Sequence, residues 1–442
     1  MGELPVAVVG AGPVGLAAAA ELVERGIEPV VLERGDGAGA AVAEWGHVRL
    51  FSPWSELIAP AAARLLADTG WERPSGAVYP TGAEWADSYL RPLAAALGER
   101  VWCGAEVVGV ARRGRDRVVD AGRDTEPLTV HIRRSDGGVE LLAARALIDA
   151  SGTWGSPNPL GADGLPAPGE RVAGERVTYR VPDLTVEQTR ERHAGRHVVV
   201  AGSGHSALTA LVGLAGLAGS GTRVSWVLRR GAVGDAFGGG EADQLPARGA
   251  LGLRAKQAVA AGQVRVVTGF RTETVELEPG GRLALVSATG DRIEGVDEAV
   301  ALTGFRPDLS WLSELRLELD ATLQAPTTLA PLIDPNVHSC GTVYPHGVRE
   351  LSHPESGVFL AGMKSYGRAP TFLAMTGYEQ VRSIVAALAG DRSAAERVEL
   401  VLPETGVCGG AGLVDEPEAA AAGGCCASEP EPIGPPASSG AR

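Results

Sequence analysis

The stretch from Val6 to Glu33 constrains this chain more than any other. Val6-Ala7-Val8-Val9 reads as a buried strand and Gly10-Ala11-Gly12-Pro13-Val14-Gly15 as a tight turn. The small residues up to Arg25 read as a helix, and Val30-Val31-Leu32 as a second strand ending on Glu33. Each residue type has a physical reason. Gly10 permits the turn, Gly12 lets backbone N–H groups approach a diphosphate, and Gly15 lets the helix lie close to the strand, so that its positive end faces phosphate. Glu33 follows where a carboxylate can accept from both hydroxyls of a ribose. G-x-G-x-x-G alone is a weak signal; with strand, helix and acid in place it predicts a dinucleotide cradle.

A second cradle follows. Val198 to Ala201 is a strand, Gly202-Ser203-Gly204-His205-Ser206-Ala207 the turn and Leu208 to Leu217 the helix, with Ala207 in place of the third glycine. The next strand, Arg223 to Leu228, ends on Arg229-Arg230 where an NAD site would carry an acid. Two guanidiniums suit a 2′-phosphate, so NADP is expected over NAD, against the plainer alternative of a solvated basic pair. His205 is expected to pack or to face phosphate and not to act as a base. Two cradles fit a resident FAD at the first and a visiting NADPH at the second.

The remaining chain must support these two sites. At 442 residues it suits about two or three domains. Forty Lys plus Arg against 54 Asp plus Glu give a net charge of −14 with no basic cluster, which argues against nucleic acid and against an anionic membrane surface. The start lacks a signal-peptide pattern and no charge-free apolar run reaches about 20 residues, so a cytoplasmic protein is expected. Five cysteines, an odd number, point to reduced thiols.

Trp45 to Trp54 could line a bound ring, and Glu84 to Leu97 reads as a scaffold helix. Val101 to Val110 and Thr129 to Ile132 alternate like an antiparallel sheet. Ala146 to Gly155 is a strand running into a Gly turn, and Pro157, Pro159 and Pro166 mark a boundary. Ala299 to Thr303 is a strand whose turn, Gly304 to Asp308, leads back. Asn336 to Gly347 is loop-like and holds His338, Cys340 and His346. Val358 to Met363 reads as a strand. A helix is expected from Pro370-Thr371-Phe372 to about Leu388, with Pro at its first position and Gly390 past its end. Its partial positive charge would stabilise an anionic reduced flavin. From Pro403 the composition shifts to Gly, Ala, Pro, Ser and Glu, so this tail is expected to be disordered. It carries Cys408, Cys425 and Cys426, which could exchange disulfides or form a trigonal metal or metalloid site, or be incidental.

The fold class expected is α/β, with two Rossmann-like dinucleotide-binding domains, the NADP domain inserted in the FAD domain, and a disordered C-terminal tail. The expected divisions are 1–160 and 306–392 for FAD, 161–305 for NADP, and 393–442 for a flexible cysteine-containing tail.

Over about Pro5 to Gly390 the chain resembles the flavin-containing monooxygenases of class B type. The resemblance rests on both cradles, on Asp149-Ala150-Ser151-Gly152-Thr153-Trp154, and on Leu302-Thr303-Gly304-Phe305-Arg306-Pro307-Asp308, which is similar to the family's Ala-Thr-Gly-Tyr linker. It implies FAD on Gly10, Gly12, Pro13, Gly15, Glu33, Arg34 and Gly152, with Gly362, Met363 and Thr371 nearer the ring. It implies NADPH on Gly202, Ser203, Gly204, Ser206, Arg229 and Arg230. Hydride would pass from NADPH to FAD, and a peroxyflavin formed with oxygen would transfer one oxygen atom to a small molecule bearing a soft nucleophile: sulfur, nitrogen or trivalent arsenic. No side-chain acid or base is required.

Two departures stand out. Val172, Thr178 and Pro182 occupy the Phe, His and aromatic positions of the family's F-x-G-x-x-x-H-x-x-x-(Y/W) stretch around Gly174, and Leu50 to Glu56 holds no asparagine. Gly362 to Phe372, with the cysteine-bearing tail, is similar to a subgroup associated with arsenical resistance in bacteria. The alternative is a flavin-dependent reductase of a thiol, disulfide or thiol-bound metal or metalloid. Lacking C-x-x-C and C-x-x-x-x-C, it would rely on Cys103 or Cys340 acting singly, or on the tail.

Overall fold

In this computed structural model, residues 4–243, 245–337, 345–370 and 372–400 are described. Short strands, apolar except for Asp149, form a five-stranded parallel sheet in the order Val358–Leu360, Ala146–Asp149, Val6–Val9, Pro29–Leu32 and Val101–Trp102. Such strands suit a sheet covered on both faces. The register sets Val9 opposite both Leu32 and Asp149, so Gly10, Glu33 and Ala150 leave the same edge. The helix Pro13–Glu24 covers one face and packs against Ala374–Leu388, where a Cβ on Gly377 would fall 2.5 Å from Val14 Cγ2. A three-stranded antiparallel sheet, Ala105–Arg112, Leu128–Arg134 and Val139–Ala144, lies over the other face.

After Asp149 the chain crosses to a second five-stranded parallel sheet, ordered Val264–Val267, Arg223–Val227, His197–Ala201, Glu298–Ala301 and Val177–Thr178. It returns to add Val358–Leu360 to the first. The second dinucleotide fold is thus inserted in the first. The outgoing and returning linkers run side by side. Asn158 N–H donates to Gly304 O at 2.9 Å, Asn158 Nδ2 to Thr303 O at 3.0 Å, and Arg306 Nε to Asn158 Oδ1 at 2.7 Å. Beside them Trp154 stacks near Phe305 with ring centroids 5.0 Å apart, and the Arg180 guanidinium lies 3.7 Å above the Trp154 ring. No helix among the described residues is long and apolar enough to cross a membrane.

Four expectations need correction. Val101–Trp102, expected in the antiparallel sheet, pairs in parallel with Pro29–Leu32, and the antiparallel strand begins at Ala105. The strand at Val358 ends at Leu360, and Gly362–Tyr366 is a 3-10 helix. The last long helix starts at Ala374 and not at Pro370, with extended Leu373 as its N-cap. Phe372 is the cause: its ring packs edge-on to Tyr366 at 5.0 Å, and reaching that contact keeps the preceding chain out of the helix. Residues 393–400, assigned above to the flexible tail, continue the fold. Arg392–Glu396 is a helix capped by Asp391, which accepts from Ala394 N–H at 3.0 Å. Ser383 Oγ donates to Ala395 O at 2.6 Å and Arg382 Nη1 to Ala394 O at 2.8 Å, so buried Ala394 and Ala395 dock on Ala374–Leu388. Residues 401–442, with Cys408, Cys425 and Cys426, lie outside the described residues.

Glu355 ties the antiparallel sheet to the returning chain. Its carboxylate is 1% exposed and accepts from Arg112 Nε at 2.7 Å, Arg123 Nη2 at 2.8 Å and Arg316 N–H at 2.9 Å. Burial raises its pKa, but the hydrogen bonds from Arg123, Arg112 and the Arg316 amide outweigh that and hold it below the usual carboxylate range. Its contribution to stability is therefore present above the unfolded pKa of about 4.3 and is lost as pH falls through the folded value. Glu355→Ala, which leaves two buried guanidiniums without their acceptor, is expected to cost about 3–5 kcal/mol in denaturant unfolding at pH 7. A loss below about 1 kcal/mol would show the triad to be energetically neutral.

Candidate active site

The first cradle has the geometry a diphosphate needs. Gly10 sits at φ +96°, and a Cβ there would lie 2.9 Å from Ala150 O. A Cβ on Gly15 would lie 1.9 Å from Gly10 O, so only glycine lets the helix start this close to the strand. On Gly12 a Cβ would meet nothing within 4 Å, because that backbone opens into a cavity of about 690 Å³. Glu33 Oε2 accepts from Ala11 N–H at 2.8 Å and Oε1 from Gly35 N–H at 2.7 Å, which braces the turn. Each oxygen keeps a lone pair for a ribose hydroxyl.

The same cavity touches Gly10, Gly12, Pro13, Glu33, Arg34, Gly152, Gly362 and Met363. Gly15 stands behind it as the close-packing residue. Thr371 lies outside the described residues, and its neighbours Pro370 and Phe372 line the cavity. Trp45, Leu50, Phe51, Trp85 and Trp154 form apolar walls, whereas Trp54 is buried in the core. Leu373 and Ala374 also line it, so the positive end of the helix Ala374–Leu388 faces the cavity.

The cavity reaches the second cradle at His205, with Leu245 and Arg248 beside it; Gly202, Ser203, Gly204, Ser206, Arg229 and Arg230 are not among its lining residues. Gly202 has φ +128° and a Cβ there would fall 2.2 Å from Leu302 O; Gly204 is open. Ser203 is half-buried, and Ser206 is exposed at the helix start. The His205 ring meets Phe51 edge-on at 5.3 Å, joining the two folds across the cavity. Burial, then the Arg248 guanidinium, push the His205 imidazole down to about 4, so it is neutral near pH 7 and suits a packing role. Arg229 is exposed just past its strand, where Nη1 donates to Ala162 O of the linker at 3.1 Å. Arg230, half-buried, sits beside it.

The sequence reading missed a buried charge cluster. Lys364 Nζ lies 3.2 Å from Asp149 Oδ2 and donates to Ser151 Oγ at 3.0 Å. Their side chains are 2% and 0% exposed. The available signal was a lysine in an otherwise uncharged stretch, Val358 to Gly367. Cys103 is exposed and does not line the cavity. Burial, with the carboxylates of Glu33 and Asp36, raises its thiol pKa, and the next residues pair with the Glu33 turn, Gly104 N–H donating to Gly35 O at 3.0 Å and Ala105 N–H to Glu33 O at 2.8 Å. His338 and Cys340 lie outside the described residues. Among the described residues no group of three His, Cys, Asp or Glu could hold a metal ion.

These contacts separate two roles for glycine. Gly12→Ala, whose methyl enters the cavity, is expected to leave the melting temperature of the apo-protein nearly unchanged and to weaken FAD binding about tenfold or more. Gly15→Ala, whose methyl strikes a backbone carbonyl, is expected to destabilise the fold by about 1–3 kcal/mol. Thermal unfolding and flavin titration of both variants check this contrast.

The chain matches the pyridine nucleotide-disulphide oxidoreductase family over residues 7–339. It is 32% identical over 202 residues to an indole-3-pyruvate monooxygenase of Oryza sativa subsp. japonica, covering 46% of this chain and 42% of that relative. The match therefore spans less than half of that protein. The bacillithiol disulfide reductase of Bacillus cereus shares the fold with a TM-score of 0.65 at 20% identity, covering 88% of this chain and 99% of that one. The cadaverine monooxygenase of Erwinia amylovora, solved with FAD, does so with a TM-score of 0.61 at 14% identity, covering 91% and 99%. With the first cradle opening on this cavity and the second reaching it at His205, the chain belongs to the pyridine nucleotide-disulphide oxidoreductase family.

Proposed function

We propose that the chain is an NADPH-dependent flavin monooxygenase acting on a small molecule through a soft nucleophilic atom: sulfur, nitrogen or trivalent arsenic. One observation carries this reading. A single apolar cavity runs from Gly10 and Gly12 to His205 and Arg248, and no cysteine is among its described lining residues. Flavin, when bound, supplies two-electron acceptance from nicotinamide and activation of oxygen.

The chain's own residues supply position and dryness. Gly10, Gly12, Pro13, Glu33, Arg34 and Gly152 hold the adenosine and diphosphate end, while Gly362, Met363 and the start of Ala374–Leu388 face the ring. Gly202, Ser203, Gly204 and Ser206 receive the nicotinamide cofactor's diphosphate, and Arg229 and Arg230 its 2′-phosphate. Trp45, Phe51 and Trp154 keep water from the reacting atoms. In balance, NADPH, a proton, oxygen and substrate give NADP⁺, water and a product bearing one added oxygen atom.

The fold shared with bacillithiol disulfide reductase favours a second reading, a flavin-dependent reductase of a thiol, disulfide or thiol-bound metal or metalloid. Cys103, at the ribose end, is badly placed for it, which leaves Cys340 and the tail cysteines as its carriers.

Oxygen uptake distinguishes the two. One oxygen molecule consumed and one oxygenated product formed per NADPH is expected with a thioether, amine or arsenite substrate. Anaerobic turnover with a disulfide, abolished by Cys425→Ser with Cys426→Ser, would instead establish the reductase. For the 2′-phosphate contact, Arg229→Ala is expected to raise KM for NADPH about tenfold while KM for NADH changes less than about twofold. Equal loss for both would remove Arg229 from that role.

A further inference from the structure

Lys364 and Asp149 form a pair that the fold has little reason to keep. Burying both charges costs several kcal/mol of desolvation, and apolar residues of similar volume commonly serve a core as well or better. Their place explains the cost. Ser151, which accepts from Lys364 Nζ, packs on the phosphate turn: a Cβ on Gly10 would come within 3.0 Å of Ser151 Cα. Gly362, two residues before the lysine, packs on the first turn of the following helix, where its Cβ would lie 3.1 Å from Val14 Cγ2. The ammonium is thus held between the two segments that bracket the open N-terminus of Pro13–Glu24, and Lys364 lines the cavity there.

We propose that Lys364 is a side-chain cation that binds the diphosphate of the resident FAD, beside Arg34, with Asp149 and Ser151 as its positioning residues. This rests on the assignment of FAD to the first cradle. An ammonium has three N–H donors. One is donated to Ser151 Oγ; Asp149 Oδ2 lies 3.2 Å away as an ion-pair partner without a hydrogen bond, so the remaining donors have no hydrogen-bond acceptor among the described residues, and the ammonium also lies 5.3 Å from the centre of the Trp311 ring. A phosphate oxygen would complete the set.

Carboxylates stand near this ammonium. Asp308 also lines the cavity, and hydrogen bonds from Ser310, with the nearby charges of Lys364 and Arg34, outweigh burial and keep its carboxyl below the usual range. A diphosphate entering here meets the lining carboxylates of Glu33 and Asp308, with Asp149 buried behind Lys364, and the lining guanidiniums of Arg34 and Arg49. The helix end and backbone N–H groups offset part of that repulsion, and Lys364 supplies a full positive charge that the partial charge of a helix end does not. Asp149 in turn fixes the long lysine side chain, whose freedom would otherwise be lost on binding.

Riboflavin, which shares the ring and lacks the diphosphate, gives the test. The full chain is stripped of flavin and titrated with FAD and with riboflavin, following flavin fluorescence. Lys364→Met is expected to weaken FAD about tenfold or more while riboflavin changes less than about twofold. Because the single change strands Asp149, the double variant Asp149→Asn with Lys364→Met is measured beside it. Its apo-protein is expected to melt within a few degrees of wild type and to show the same FAD-selective loss. Lys364→Gln, which keeps a donor and removes the charge, serves if the methionine variants do not fold. A loss of FAD affinity below about tenfold, or equal loss for riboflavin, overturns the proposal. Wild-type protein that takes up neither flavin overturns the FAD assignment itself, a result distinct from either.

Discussion

The contact between Gly15 and the Gly10 carbonyl sets the rest of the structure. Because no side chain stands between them, the helix Pro13–Glu24 begins directly over the end of Val6–Val9, and Gly12, Pro13 and Val14 at its start line the cavity. The parallel register then brings Glu33 and Ala150 to the same edge from strands on either side. The shape that the proposed diphosphate site requires therefore follows from one backbone approach and one register.

The second fold depends on that site through its linkers. Asn158 joins the outgoing and returning chains by four hydrogen bonds, so the His205 end of the cavity is fixed relative to the Gly10 end by paired linkers. Phe51 reaches from the first fold to the His205 ring of the second, and Trp154 sits under Arg180 and beside Phe305 at the crossing. Hydride transfer requires two ring systems in contact, and a common cavity with apolar walls meets that requirement without a catalytic acid or base.

Local constraints were legible in the sequence. Gly10, Gly12 and Gly15 were readable because each obeys a steric rule within one turn, and Gly202 and Gly204 repeat it. The insertion of one fold in the other followed from the order of the two cradles and the strand at Val358. What depended on distant packing was not legible. The start of the last long helix is displaced by Phe372 seating on Tyr366, a contact no propensity contains. The Lys364–Asp149 pair joins residues far apart in sequence that meet only because Val358–Leu360 lies beside Ala146–Asp149 in the sheet. Docking of Arg392–Glu396 through Arg382 and Ser383 likewise needed the folded helix as its template.

The central claim is that nicotinamide and flavin meet in one cavity, so that hydride passes directly between them. Anaerobic stopped-flow mixing of the flavin-loaded protein with NADPH deuterated at C4 of the nicotinamide tests it most directly. The account predicts rapid bleaching of the flavin with a primary isotope effect for one of the two C4 stereoisomers. Flavin that stays oxidised, or is reduced only after an added carrier protein or thiol, would contradict it.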